Sequence, residues 1–162
     1  MAEVYVFNAS PLILLSRIDG LPWLAAIGSE RLVPARVLEE LRAGAARDAA
    51  AAEVAAASGL TVVDVGAIDP RVVAWGLDPG ESHVLTLALA RDAIAVLDDR
   101  AARRAASALG IRIAGTLGTI ALLARLGVVA DAASVFARLR EAGLYLDDDL
   151  VARVLAEIAK AP

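Results

Sequence analysis

The sequence predicts an α/β protein: helices on both faces of a parallel sheet, arranged as a three-layer α/β/α sandwich. Two observations predict it. Short apolar or β-branched runs recur along the chain, and helical patterns separate each run from the next. One run, AIAVL at 93–97, is apolar throughout, as a strand covered on both faces must be. Strands that alternate with helices favour parallel pairing, because every parallel connection needs a crossover and a helix supplies it.

The elements follow in order. Strands are expected at 3–7, 31–33, 60–65, 93–97 and 112–114. Helices are expected at 11–18, 34–42, 45–58, 81–91, 100–109, 117–126, 131–141 and 148–160. The first helix would open on Ser10 as N-cap, with Pro11 at the first helical position. The alanine tract 45–58 ends at Gly59, a suitable C-cap. The last helix, DDDLVARVLAEIAK, puts three acids at its positive end. Its Leu150, Val151, Val154, Leu155 and Ile158 form one apolar stripe for core packing. Trp23, Trp75 and Tyr145 are expected in the core.

The 162 residues suit one domain, read here as residues 1–162 with a helical extension from about 131. The chain is 59% hydrophobic with a mean hydropathy of +0.64, largely from alanine. Its uncharged stretches still fall short of the roughly 18–20 apolar residues a membrane span needs. Glu3 stands where a secretory signal would be basic, so the expected location is the cytoplasm, with no membrane partner.

Absent residues exclude chemistry. Without cysteine there is no disulfide, thiolate zinc site or thiol nucleophile. A single histidine, His83, excludes a multi-histidine metal site. The only lysine is Lys160, which removes the lysines that phosphate loops, Schiff bases and phosphoaspartate receivers require. The segment GTLGTI is too loose to serve as a phosphate loop. A net charge of −4 and a pI of about 5.0 disfavour a nucleic-acid coat protein, yet leave room for a local basic rim.

Carboxylates, arginines and hydroxyls remain, and they cluster at one edge. Ligands of open α/β sheets gather beyond the carboxyl ends of the strands. Asn8 and Ser10 follow the first expected strand, Glu40 lies on the helix after the second, and Asp98 and Asp99 end the fourth. Glu81 opens the helix that leads into that fourth strand. Each has an ordinary structural alternative. Asn8 can tie down a turn, Glu39 and Glu40 can face solvent, and Glu81 suits any first helical turn. Asp98 or Asp99 can cap a helix, and Asp99 stands four residues before Arg103. Converging carboxylates repel unless a cation lies between them, and with no lysine at hand a hard divalent ion is the candidate.

NASPLI, VPARVLEEL, DPGESHVLTLALA, VLDDRAARRAASALGI and GTLGTI, in this order, resemble the PIN-domain superfamily. They are most similar to a prokaryotic branch of predicted nucleic-acid-binding proteins with an Asn-x-Ser-Pro-Leu-Ile first motif. The resemblance runs to about Gly143 and implies a central parallel sheet of four to five strands. It also implies a Mg²⁺- or Mn²⁺-dependent ribonuclease, a possible place in a toxin–antitoxin pair with an antitoxin protein as partner, and a homodimer.

Carried over by motif, the family's first aspartate falls on Asn8, its small hydroxyl residue on Ser10, and its other acids on Glu40, Glu81 and Asp99, with Asp98 beside the last. Asn8 and Glu81 depart from the family's aspartates. These residues would hold the ion directly or through water, with Ser10 positioning a water or ligand. Arg100, Arg103 and Arg104 would receive the RNA backbone, and His83 would point elsewhere. Because Asn8 removes a formal charge, the alternative expectation is a PIN-fold module that binds nucleic acid or protein and cleaves weakly.

Overall fold

The computed structural model describes residues 2–161. Among these residues five strands, β1 (Val4–Phe7), β2 (Glu30–Pro34), β3 (Thr61–Val63), β4 (Ile94–Val96) and β5 (Ile113–Ala114), form one sheet. All the pairings are parallel and the order is β3-β2-β1-β4-β5. In register, Val6 lies beside Leu32 on one side and Ala95 on the other, and Phe7 beside Val96. Tyr5, Val6 and Phe7 of β1 and Ala95 and Val96 of β4 are buried, which is why these central strands are apolar on both faces. The edge strands β3 and β5 have only three and two residues, which limits their unpaired backbone.

Among the described residues nine α-helices flank the sheet: α1 (Ala9–Arg17), α2 (Ala35–Gly44), α3 (Ala49–Ala56), α4 (Pro70–Val73), α5 (Pro79–Arg91), α6 (Arg100–Ala108), α7 (Thr116–Arg125), α8 (Ala132–Glu141) and α9 (Asp148–Lys160). A 3₁₀ helix spans Leu21–Ala26. Helix α5 packs against β1, β2, β4 and α2, and buries residues all along its length. Helices α8 and α9 pack on α7. Among the described residues no helix is long and apolar enough to cross a membrane.

Alanine lets helices approach closely. In α6, RAARRAASA, the side chains of Ala102, Ala105 and Ala106 are fully buried while the arginines occupy the remaining surface. Only a methyl group separates this helix from its neighbours at those positions.

Several expectations are corrected. Helix α1 starts at Ala9, so its N-cap position falls on Asn8 and not on Ser10, with no side-chain bond to the first turn. Pro11 therefore sits at the third helical position, where its missing N–H is still one the helix leaves unpaired. The alanine tract becomes helical only from Ala49, because Asp48 caps it by accepting a hydrogen bond from the Ala50 N–H (3.0 Å). It ends at Ala56 with Ala57 extended, and Gly59, at φ 86°, makes the turn into β3 instead of capping. Helix α4 and the 3₁₀ turn were not foreseen, although Asp69-Pro70 carries the N-cap and first-position signal.

Aromatic placement differs as well. Trp23 packs partly buried against the core. Trp75 is 42% exposed, because one-turn α4 buries only Val72. Tyr145, in the loop between α8 and α9, is 87% exposed. In α9 the stripe Val151, Val154, Leu155 and Ile158 packs partly buried on the core, whereas Leu150 stays exposed.

Close packing on alanine makes a sharp test. Ala106→Leu should cost about 1–3 kcal/mol through overpacking, whereas the same change at exposed Ala108 should leave stability within about 0.5 kcal/mol. Urea unfolding midpoints of the two variants check this.

Candidate active site

The strand order reverses between β1 and β4, so the two strands' carboxyl ends open a crevice where α/β proteins bind ligands. Asn8 stands at its floor. Its backbone N–H donates to Val96 O (3.0 Å), which extends the β1–β4 pairing by one residue. The residue is 9% exposed, yet its side-chain amide neither caps α1 nor makes a hydrogen bond among the described residues. The turn-anchoring bonds that would explain an asparagine here are not formed. Ser10, one turn position further, is exposed.

Helices α2 and α5 bring two glutamates to the same crevice. Glu40 rests its carboxylate on Gly80, in the first turn of α5; a methyl group at Gly80 would lie 2.6 Å from Glu40 Oε2. Its neighbour Glu39 is the outward one, with a side chain 65% exposed against 38% for Glu40. Arg36 is the cation near both, 3.4 Å from Glu39 and 3.8 Å from Glu40. One residue past Gly80 stands Glu81, half-buried. Burial pushes its carboxyl above the ordinary glutamate range, and the negative charges of Asp99, Asp78 and Glu40 push it further, against an opposing pull from the Asp78 backbone N–H. That response places Glu40, Glu81 and Asp99 within electrostatic reach of one another.

The two aspartates after β4 divide their work. Asp99 caps α6, its Oδ1 accepting from the Ala102 N–H (2.9 Å). Asp98 is held by the start of α7: Oδ1 accepts from the Thr116 N–H (2.7 Å) and Oδ2 from the Thr116 hydroxyl (2.6 Å). This clamp ties the end of β4 to the helix that follows β5. The expected pairing of Asp99 with Arg103 does not form; the Arg103 guanidinium lies beside Gly115 instead. Arg100, Arg103 and Arg104 make no ion pair or side-chain hydrogen bond among the described residues. His83 Nδ1 approaches the carbonyl of Pro79 on its own helix (2.6 Å).

Sequence reasoning missed Thr116 and Asp78. The signal for Thr116 is a hydroxyl residue opening a helix directly after a strand, in GTLGTI; that for Asp78 is the N-cap position of DPGE, three residues before Glu81.

Comparison with known proteins decides the family. A family described as a PIN domain matches residues 4–160. The chain is a PIN domain. No curated protein matches its sequence. Among solved structures, a chain of VapBC2 from Rickettsia felis, determined bound to a DNA fragment from their promoter, is 14% identical with a TM-score of 0.49. That likeness covers 69% of this PIN domain and 98% of the other chain.

The donor set of the PIN domain's crevice is all oxygen, which suits a hard divalent cation. Among the described residues no three histidine or carboxylate side chains lie close enough to hold an ion together. The arrangement therefore fits Mg²⁺ or Mn²⁺ bound by one or two carboxylates with waters completing the shell, Mg²⁺'s common mode. The unpartnered amide of Asn8 offers one further oxygen.

Repulsion at Glu81 has a consequence for stability without metal. A carboxyl raised in the folded state binds its proton more readily there than in the unfolded chain, so ionised Glu81 lowers stability. This penalty is present at neutral pH and disappears as pH falls through the raised value towards the ordinary glutamate range. In chelator, Glu81→Gln should therefore raise the melting temperature at pH 7. Screening limits such a repulsion to less than about 1 kcal/mol, or a rise of at most about 4 °C. Thermal melts should show the gain vanish near pH 4.

Proposed function

We propose that this PIN domain is a Mg²⁺- or Mn²⁺-dependent endoribonuclease that binds its ion weakly. The observation that carries the reading is half-buried Glu81, whose ionised form is disfavoured by burial first and then by the charges of Asp99, Asp78 and Glu40, with Glu40 set against Gly80 in the same helical turn. A divalent ion relieves that repulsion. One or two of Glu40, Glu81 and Asp99 would hold it directly and the rest through its waters, with the amide oxygen of Asn8 as the neutral member of the set. Bound there, the ion supplies charge stabilisation for a phosphodiester oxygen and a lowered pKa for an attacking water.

The chain's own residues do the rest. Ser10, exposed at the start of α1, positions a water or the substrate by its hydroxyl. Asp98, fixed by Thr116, keeps the end of β4 in place, so that Asp99 meets the site from the cap of α6. Arg100, Arg103 and Arg104 receive the RNA backbone.

A second reading, a PIN-fold module that binds nucleic acid or protein and cleaves poorly, is favoured by Asn8 and by the absence of a three-carboxylate cluster among the described residues. Incubating mixed RNAs with Mn²⁺, Mg²⁺ or chelator, beside a Glu81→Gln control, separates the two. The nuclease cleaves with metal only, and the control does not.

Asn8 offers a sharper measurement. An amide oxygen can ligate a cation but brings no charge, and its N–H groups are donors the ion cannot use. Asn8→Asp should tighten Mn²⁺ binding by about 1–2 kcal/mol, the range in which an ionised partner outperforms a neutral one, and should speed cleavage. Titration calorimetry and cleavage rates on the one variant check this. Unchanged Mn²⁺ affinity with a lowered melting temperature would instead assign Asn8 to holding the turn.

The family reading extends to an antitoxin protein as partner and to a homodimer, for which the apolar helix surface of this small chain is the support. Light scattering should give twice the 16.7 kDa chain mass. A 16.7 kDa particle at every concentration tested would remove the dimer.

A further inference from the structure

Beyond the acidic crevice, a groove of about 1400 Å³ runs along the β5 edge of the sheet, between α6, α7 and the loop leading into α9. Its charge is the reverse of the chain's. Five arginines line it against three acids, in a protein of net charge −4. All three acids are engaged: Glu3 pairs with Arg112 (3.1 Å), Asp98 is clamped by Thr116, and Asp147 caps α9 by accepting from the Leu150 N–H (3.0 Å). Four of the five arginines, Arg100, Arg103, Arg104 and Arg125, make no ion pair or side-chain hydrogen bond among the described residues. Half-buried Arg103 lies over Gly115, where an added methyl would also sit 3.0 Å from Asp98 Oδ1. The groove thus begins beside the acidic crevice, at Asp98, the neighbour of Asp99.

Its other end is marked by Arg125, at the last turn of α7, and its wall includes Tyr145 with 87% of its surface free. Helix α7 has ten residues, so about 13.5 Å separate Thr116 from Arg125 along its axis. The apolar share of the wall, Leu117, Leu122 and Val154 among others, gives a surface on which unpaired bases can lie. We infer that this groove is a track for single-stranded nucleic acid, with arginines along its phosphates and Tyr145 as a stacking platform remote from the cleavage site. The inference rests on the nuclease reading for the crevice it leads into, but its chemistry is separate. Guanidinium groups and an aromatic ring together form the usual single-strand surface, and stacking needs an unpaired base. An acidic protein segment would use the arginines and leave the ring idle.

The test uses the full chain in chelator, with a fluorescein-labelled oligouridylate, a duplex RNA of equal length and a polyglutamate peptide, read by anisotropy. The oligouridylate should bind best. Arg104→Gln and Arg125→Gln should each flatten the slope of log affinity against log salt by about 0.7. Tyr145→Ala should weaken binding about five-fold or more, and Tyr145→Phe should restore it. These side chains are exposed, so the fold does not depend on them. Parental affinity in all the variants, a duplex bound as well as the single strand, or a peptide that competes equally would each overturn the track. Binding that depends on Tyr145 and Arg125 with no cleavage in Mn²⁺ would overturn the nuclease reading alone; cleavage with variants that bind like the parent would overturn the track alone.

Discussion

The pairing of β1 with β4 is the constraint on which the rest of the molecule depends. Chain order takes β1 to β2 and β3 on one side, then returns to place β4 against the free side of β1. The last bond of that seam, from the Asn8 N–H to Val96 O, brings the residues after both strands to one point. Everything polar at the crevice is arranged around it. Helix α1 must leave from Asn8 and α6 from Asp99, while α5, packed across both strands, delivers its first turn to the same edge. A strand order without this reversal would give each of these side chains a neighbour of its own and no common cleft.

Packing and charge are then decided together. Helix α6 buries alanines alone, which allows close approach without long side chains and leaves arginine for its outer stripe. Glu40 can reach the start of α5 only because Gly80 has no side chain there. At the crevice Glu40 and Glu81 come from α2 and α5, while Arg100, Arg103, Arg104 and Arg125 stand on α6 and α7. A chain that is acidic overall therefore carries a basic groove beside an acidic crevice.

Much of this was legible in the sequence, for identifiable reasons. The buried strands declare themselves because both faces need apolar residues, and AIAVL leaves no other reading. The acids are found because strand ends of an α/β sheet are where function concentrates, and Glu40 is told from Glu39 by motif alone. What escaped was decided by competition among local bonds. Nothing in NASP says whether Asn8 or Ser10 caps α1, since both are good caps; the answer depends on how far β1 stays paired to β4. Asp98 and Asp99 are equivalent in sequence until Thr116, eighteen positions away in the chain, claims one of them. Tyr145 was read as core because aromatic residues usually are, and only the three-dimensional path of the loop before α9 exposes it.

The Asp98–Asp99 pair has one more consequence. One residue of the pair is fastened to α7 and the next opens α6, and consecutive α-carbons across a trans peptide stand about 3.8 Å apart. The two side chains belong to different compartments of the surface, yet the spacing between their anchor points is covalent and cannot drift with side-chain motion. The fold thus ties the starts of α6 and α7 together through a single peptide, so neither helix can shift its first turn without pulling on the other.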